Sequence, residues 1–134
     1  MTQAEALAIL KTGGNVFLTG EPGAGKSYTI RQYVNWLRSC GIDPAITAST
    51  GIAATHIGGM TLHSWSGIGI SKTMNAAELN EISTRDRLVK RIRATHVLII
   101  DEISMFEGRT LNLVDAVCRA IKQSQEPFGG MQVI

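Results

Sequence analysis

Apolar residues along this chain gather in short runs, and the period inside each run changes from element to element. NVFLT (15–19), AITA (45–48) and HVLIID (96–101) are continuous apolar runs, the pattern of buried strands in a parallel sheet. From 25 to 40 the spacing turns helical. Ile30, Tyr33, Val34 and Leu37 form one stripe, and Gly41 sits on the C-cap side. A second stripe of Leu111, Val114, Val117, Cys118 and Ile121 predicts a helix over about 107–123. Near the start, Thr2 with Glu5 three residues on has capping-box form, opening a short helix through Leu10 that Gly13 and Gly14 stop. After the glycine-rich GGMTLHSWSGIGIS (58–71), Asn75 with Glu78 and then Ser83 with Asp86 predict two successive capped helices. MQVI (131–134) reads as the start of a fourth strand. Strands alternating with helical crossovers predict an α/β fold, a three-layer parallel sheet flanked by helices.

Composition narrows this picture without redirecting it. At 134 residues the chain is sized for one domain, and 44% hydrophobic with 18% charged residues suits a globular protein. No apolar run approaches the roughly 18 residues of a membrane span, and no signal-peptide pattern opens the sequence. Cys40 and Cys118 lack metal-type spacing and read as free thiols in a reducing cytosol. The net charge of +2 is uneven. RDRLVKRIR (85–93) holds five basic residues against one Asp, which hints at an acidic partner.

The candidate chemistry begins at GEPGAGKS (20–27), a full G-x-x-x-x-G-K-[ST] match between a predicted strand and a predicted helix. In that setting Gly20, Glu21, Pro22, Gly23, Ala24 and Gly25, with Tyr28 just beyond, form a nucleotide-phosphate cradle. Gly23 and Gly25 permit positive φ, so backbone N–H groups can wrap an anion at a helix N-terminus. Lys26 reaches the β- and γ-phosphates of ATP, and Ser27 ligates Mg²⁺. LIIDE (98–102) supplies the acidic partner: Asp101 for the Mg²⁺ shell and Glu102 to orient or deprotonate an attacking water. A second carboxylate favours hydrolysis over transfer to a small acceptor.

NVFLTGEPGAGKS, TASTGIAA (47–54), GGMTLHSWSGIG (58–69), LIIDEISM (98–105) and PFGGMQVI (127–134) occur in an order and spacing that resembles the Pif family of superfamily 1B DNA helicases. The resemblance spans nearly the whole chain. It implies an ATP-driven motor moving 5′ to 3′ on single-stranded DNA and opening duplexes at junctions, without sequence specificity. Such motors have two RecA-like domains. This chain resembles the first, over 1–134, with a small inserted helical segment at about 67–95. The resemblance further implies a monomer, cytoplasmic or nucleoid-associated in a bacterium and nuclear or mitochondrial in a eukaryote.

The same resemblance assigns roles residue by residue. Gln3 falls where the family has a glutamine that reads adenine; an exposed glutamine in a capped first turn is the plainer alternative. Ser49, Thr50 and Gly51 suit a DNA phosphate, although simple N-capping also accounts for them. Thr61, His63 and Ser64 fall along the family's DNA path, while Trp65, Trp36, His56 and His96 read as packing or surface residues. The basic run is a solvated helix face around Leu88 and Ile92, with phosphate contact by Arg85, Arg87, Lys90, Arg91 or Arg93 as the competing reading. The family continues past PFGG into a GD-x-x-Q motif and a second domain carrying arginines for the ATP site, and the chain stops at Ile134. The expectation is therefore a truncated part of a motor that binds nucleotide, hydrolyses it feebly at best and does not unwind alone. A different P-loop ATPase of AAA type, or a nucleotide-binding remnant without turnover, are the alternatives.

Overall fold

A computed structural model describes residues 2–20, 25–56, 58–69 and 73–134. Its first helix, α1 (Gln3–Leu10), starts where the capping box places it. The Glu5 N–H donates to Thr2 Oγ1 at 3.1 Å, and the Thr2 N–H donates to Glu5 Oε1 at 3.3 Å. Helix α2 (Lys26–Ser39) buries Tyr33, Val34 and Leu37, with Ile30 packed beside them. It ends at Cys40, and Gly41 takes the left-handed φ of 81° that its sequence position predicts. Strand β1 (Ala45–Ala48) leads into the short α3 (Gly51–His56), then β2 (Met60–Thr61) and α4 (Leu62–Ser66). Helices α5 (Ala76–Ile82) and α6 (Asp86–Ala94) return the chain to β3 (Val97–Asp101). Helix α7 (Gly108–Lys122) and β4 (Gln132–Val133) complete the described elements.

The four strands lie in the order β2-β1-β3-β4, and every pairing is parallel. Strand β3 explains the layering, because its side chains alternate between faces. Leu98 and Ile100 pack with Leu62 and Trp65 of α4, Ile82 of α5, Leu88 and Ile92 of α6, and the α7 stripe. Val97 and Ile99 pack on the other face with Leu10 of α1 and Tyr33, Val34 and Leu37 of α2. A run apolar at every position is what such a doubly covered strand requires. The result is the three-layer α/β sheet expected from the sequence.

Two expectations are corrected, and one stretch is more ordered than its composition shows. NVFLT (15–19) is neither a regular strand nor buried: its one described ladder bond runs from the Val16 N–H to the Val133 carbonyl at 3.1 Å. The Asn15 side chain takes the next position, accepting from the Val133 N–H at 2.8 Å, so a side chain replaces a backbone rung. Phe17 is 72% exposed. The second cap also fails. Ser83 closes α5, its hydroxyl donating back to the Leu79 carbonyl at 2.7 Å, and Arg85 sits at the N-cap of α6 without a side-chain cap. Finally, the glycine-rich stretch holds ordered β2 and α4, which its composition hides. Asn75 does cap α5, accepting from the Glu78 N–H at 2.8 Å.

Two polar anchors hold β4 and the PFGG turn. Gln132, buried at the end of the sheet, accepts from the Tyr33 hydroxyl at 2.6 Å and donates to the carbonyls of Leu10 and Gly14 at 3.0 and 2.9 Å. It thereby ties α1, α2, β4 and the approach to GEPGAGKS into one network. Asp115 of α7 accepts from the Phe128 N–H at 2.6 Å and from Arg119 Nε at 2.9 Å. Gly129 follows with φ 66°, pressed so closely on Cys118 and Lys122 that a Cβ there would meet the Cys118 carbonyl at 2.8 Å. Cys118 itself is buried, and desolvation, with Asp115 adding to it, pushes its thiol up to about 12. At neutral pH it is a packed, protonated side chain.

Candidate nucleotide and nucleic-acid site

The first cluster sits where α2 begins. Gly25 is its N-cap and adopts φ 87°, a left-handed turn that a side chain would strain, and it brings no side-chain acceptor to the helix's free N–H groups. Lys26 and Ser27 are the first two helical residues, both exposed. The Gln3 side chain leans directly on this turn. A Cβ added at Gly25 would push the Gln3 amide aside, and the positive φ is what calls for glycine there. Gln3, Ala4 and Leu7 of α1 with Tyr28, Thr29 and Gln32 of α2 line an open cleft of about 260 Å³. Glu21, Pro22, Gly23 and Ala24 lie outside the described residues; Gly20, immediately before them, is exposed.

Thr29 and Gln32 were not singled out from the sequence. Thr29 is buried one turn before Tyr33 on the same stripe, while Tyr28 and Gln32, four residues apart, sit exposed beside it; a polar residue on an apolar stripe was the available signal. Thr29 also donates its hydroxyl to the Gly25 carbonyl at 3.1 Å, bracing the turn from inside the helix.

The second cluster is set by strand register. Ala48 of β1 is aligned with Thr61 of β2 on one side and Asp101 of β3 on the other. Ser49 and Glu102, each one residue further on, therefore emerge side by side at the carboxyl edge of the sheet. Asp101 Oδ1 accepts the Glu102 N–H at 3.0 Å. Glu102 takes φ 55° and ψ 46°, a left-handed conformation that costs a non-glycine residue energy. In that conformation its carboxylate accepts from Ser49 Oγ at 3.3 Å.

The remaining candidates sit around this edge. Thr50 Oγ1 accepts from the Ala53 N–H at 3.2 Å and Thr61 Oγ1 from the Ser64 N–H at 3.2 Å, so both hydroxyls cap the helices they precede. Gly51, which opens α3, is exposed. His63 is half-buried with its ring 5.7 Å from that of Phe106, and Ser64 is exposed. Trp65 is core, 2% exposed, as expected. Trp36 stacks on Tyr33 under the Lys11 ammonium, and His96 is exposed; the His56 side chain lies outside the described residues. In the basic run Arg85 pairs with Glu81, Arg91 donates to the Ser64 carbonyl and Arg93 to that of Ile121. Leu88 and Ile92 form its buried side, leaving Arg87 and Lys90 exposed.

The donor set can be tested against Mg²⁺. A serine hydroxyl at a helix N-terminus and a carboxylate at a strand end are hard oxygen donors. Among the described residues no group of three or more His, Cys, Asp or Glu forms a protein cage. A sparse set of this kind suits Mg²⁺, which keeps several waters and shares its shell with phosphate. No helix of the described residues is long and apolar enough to cross a membrane.

Comparison with known proteins places this geometry. Residues 2–134 match the family model described as PIF1-like helicase. The ATP-dependent DNA helicase Pif1 of a Psychrobacter species is 53% identical over 134 residues, covering 100% of this chain and 20% of that protein. The crystal structure of Pif1 helicase from Candida albicans superposes with a TM-score of 0.90 at 39% identity, over 98% of this chain and 30% of that one. Pif1 helicase from Bacteroides in complex with ADP-AlF3 and ssDNA gives a TM-score of 0.81 at 34% identity, over 100% of this chain and 32% of that one. The chain thus spans between a fifth and a third of these three proteins. With a family model matching over almost its full length, the chain belongs to the PIF1-like helicase family.

Proposed function

We propose that residues 1–134 are the first RecA-like, ATP-binding domain of a DNA helicase motor, with the helical segment at about 67–95 inserted in it. The observation that carries this reading is the register at Ala48, which gathers Ser49, Thr61, Asp101 and Glu102 at one sheet edge. Carboxylates suited to phosphate hydrolysis thus adjoin hydroxyls suited to a nucleic-acid backbone. The Bacteroides relative, whose structure holds ADP-AlF3 and ssDNA, supports both halves. Family membership favours this over an AAA-type ATPase or an inert remnant.

In this reading Gly20 to Ser27 and Tyr28 cradle ATP, and Gln3 offers its amide to the adenine edge from the cleft beside α2. Lys26 meets the β- and γ-phosphates. Ser27 and Asp101 would hold Mg²⁺, which supplies charge neutralisation at the phosphates when bound. Glu102 accepts a proton from water as the water oxygen bonds to the γ-phosphorus and the bond to the β–γ bridging oxygen breaks, giving ADP and phosphate. Ser49, Thr50, Gly51, Thr61, His63 and Ser64 are assigned to single-stranded DNA or a duplex junction. By itself the span binds nucleotide without separating strands.

Phosphate release with and without a single-stranded oligonucleotide tests the assignment. DNA is expected to raise the rate several-fold; equal rates would leave the two clusters uncoupled and overturn it. The Gln3 role has a separate prediction. Gln3→Ala should weaken ATP binding by about 5–10-fold, the worth of one polar contact, with little change for GTP. Equal losses for ATP and GTP in a competition titration would instead make Gln3 a brace for Gly25.

A further inference from the structure

Ser49 has one hydroxyl proton, and in this structure that proton goes to Glu102. The neighbouring hydroxyls are differently engaged: Thr50 and Thr61 use their oxygens as acceptors for the N–H groups of Ala53 and Ser64. Ser49 alone of the three is hydrogen-bonded to a carboxylate. Glu102 comes to this contact from a left-handed backbone whose N–H is held by the Asp101 carboxylate, and the bond to Ser49, at 3.3 Å, lies at the exposed edge of the sheet.

We propose that Ser49 is a positioning residue that makes the Glu102 carboxylate and a DNA phosphate compete for one site at the sheet edge. The proposal rests on the reading above, in which Glu102 serves the attacking water and the β1–α3 loop meets DNA. A phosphate oxygen accepting the Ser49 proton must break the bond to Glu102. It would also lie within a few ångströms of the carboxylate, and like charges at that distance repel. Strand binding therefore releases Glu102 from β1 and frees it for the water. With the strand absent, Ser49 holds the carboxylate and hydrolysis stays slow. Because coupling between two sites is reciprocal, Glu102 must in turn weaken DNA binding in the absence of nucleotide.

That reciprocity gives a test free of turnover. Binding of a fluorescent single-stranded oligonucleotide is measured without nucleotide for the unmodified chain, Glu102→Ala, which removes the acceptor, Ser49→Ala and the double variant. Glu102→Ala should bind about fivefold tighter or more, the low end of coupling between sites, and Ser49→Ala should shrink that gain to below about twofold. Ser49→Thr, which keeps the hydroxyl, should restore the full gain. An equal gain in the serine and alanine backgrounds would reduce Glu102 to a general charge effect and overturn the proposal. Absence of measurable binding by the unmodified chain would instead overturn the DNA reading of the loop, and the competition with it.

Discussion

Replacing Glu102 by Gln is expected to lower ATP hydrolysis by about 10²–10⁴-fold, the range for loss of a positioned general base, while ATP affinity stays within about twofold. The amide keeps the shape of the side chain and can still accept from Ser49, so the loop is preserved. It cannot take a proton from water. Single-turnover phosphate release and a nucleotide titration on the same sample separate the two effects. A parallel loss of binding and turnover would contradict the role given to Glu102 and point to a part in holding nucleotide.

The second large effect concerns the fold. Gln132→Leu matches the shape of a buried side chain but removes three hydrogen bonds, those with Tyr33, Leu10 and Gly14. A buried hydroxyl and two carbonyls are left without their partner. At about 1–3 kcal/mol for an unsatisfied buried group, and with rescue by water at exposed Gly14, the expected loss is roughly 3 kcal/mol. For a domain of this size that corresponds to a fall of about 10 °C in melting temperature. Tyr33→Phe, which removes only one of the bonds, should cost about 1 kcal/mol. Thermal unfolding by circular dichroism reads both. A Gln132→Leu protein within about 2 °C of the parent would show that the network adds little to the packing around it.

The parts of this fold legible in the sequence are those whose causes are local. The Thr2–Glu5 box, the α2 and α7 stripes, the Asn75 cap and Gly41 are decided within a turn or two of helix. Strands β1 and β3 are legible because burial leaves runs that are apolar apart from Thr47 and the terminal Asp101. What escapes depends on partners far along the chain. NVFLT has the composition of a strand, but whether it forms a ladder is set by β4, where Asn15 takes a rung. Ser83 was misread because its hydroxyl can cap forward or bond backward, and the end of α5 decides for the second. Strand β2 is two residues long, too short for a period to register.

The site divides in the same way. GEPGAGKS and LIIDE announce phosphate chemistry through residue type and order alone. The Ser49–Glu102 contact joins residues 53 apart and follows only from the alignment of Ala48 with Asp101. Gln132 was legible merely as part of a strand. Its polar side chain in a buried run was the sign that it serves a network.

Nucleotide capture at the start of α2 underlies every role assigned above. Titrating a fluorescent ATP analogue with Mg²⁺ into the chain and its Lys26→Ala variant, each competed with unlabelled ATP, measures it. Saturable, competable binding that weakens about tenfold or more on losing the Lys26 charge is the predicted result. Equal affinity in the two proteins would place the nucleotide elsewhere and contradict the account.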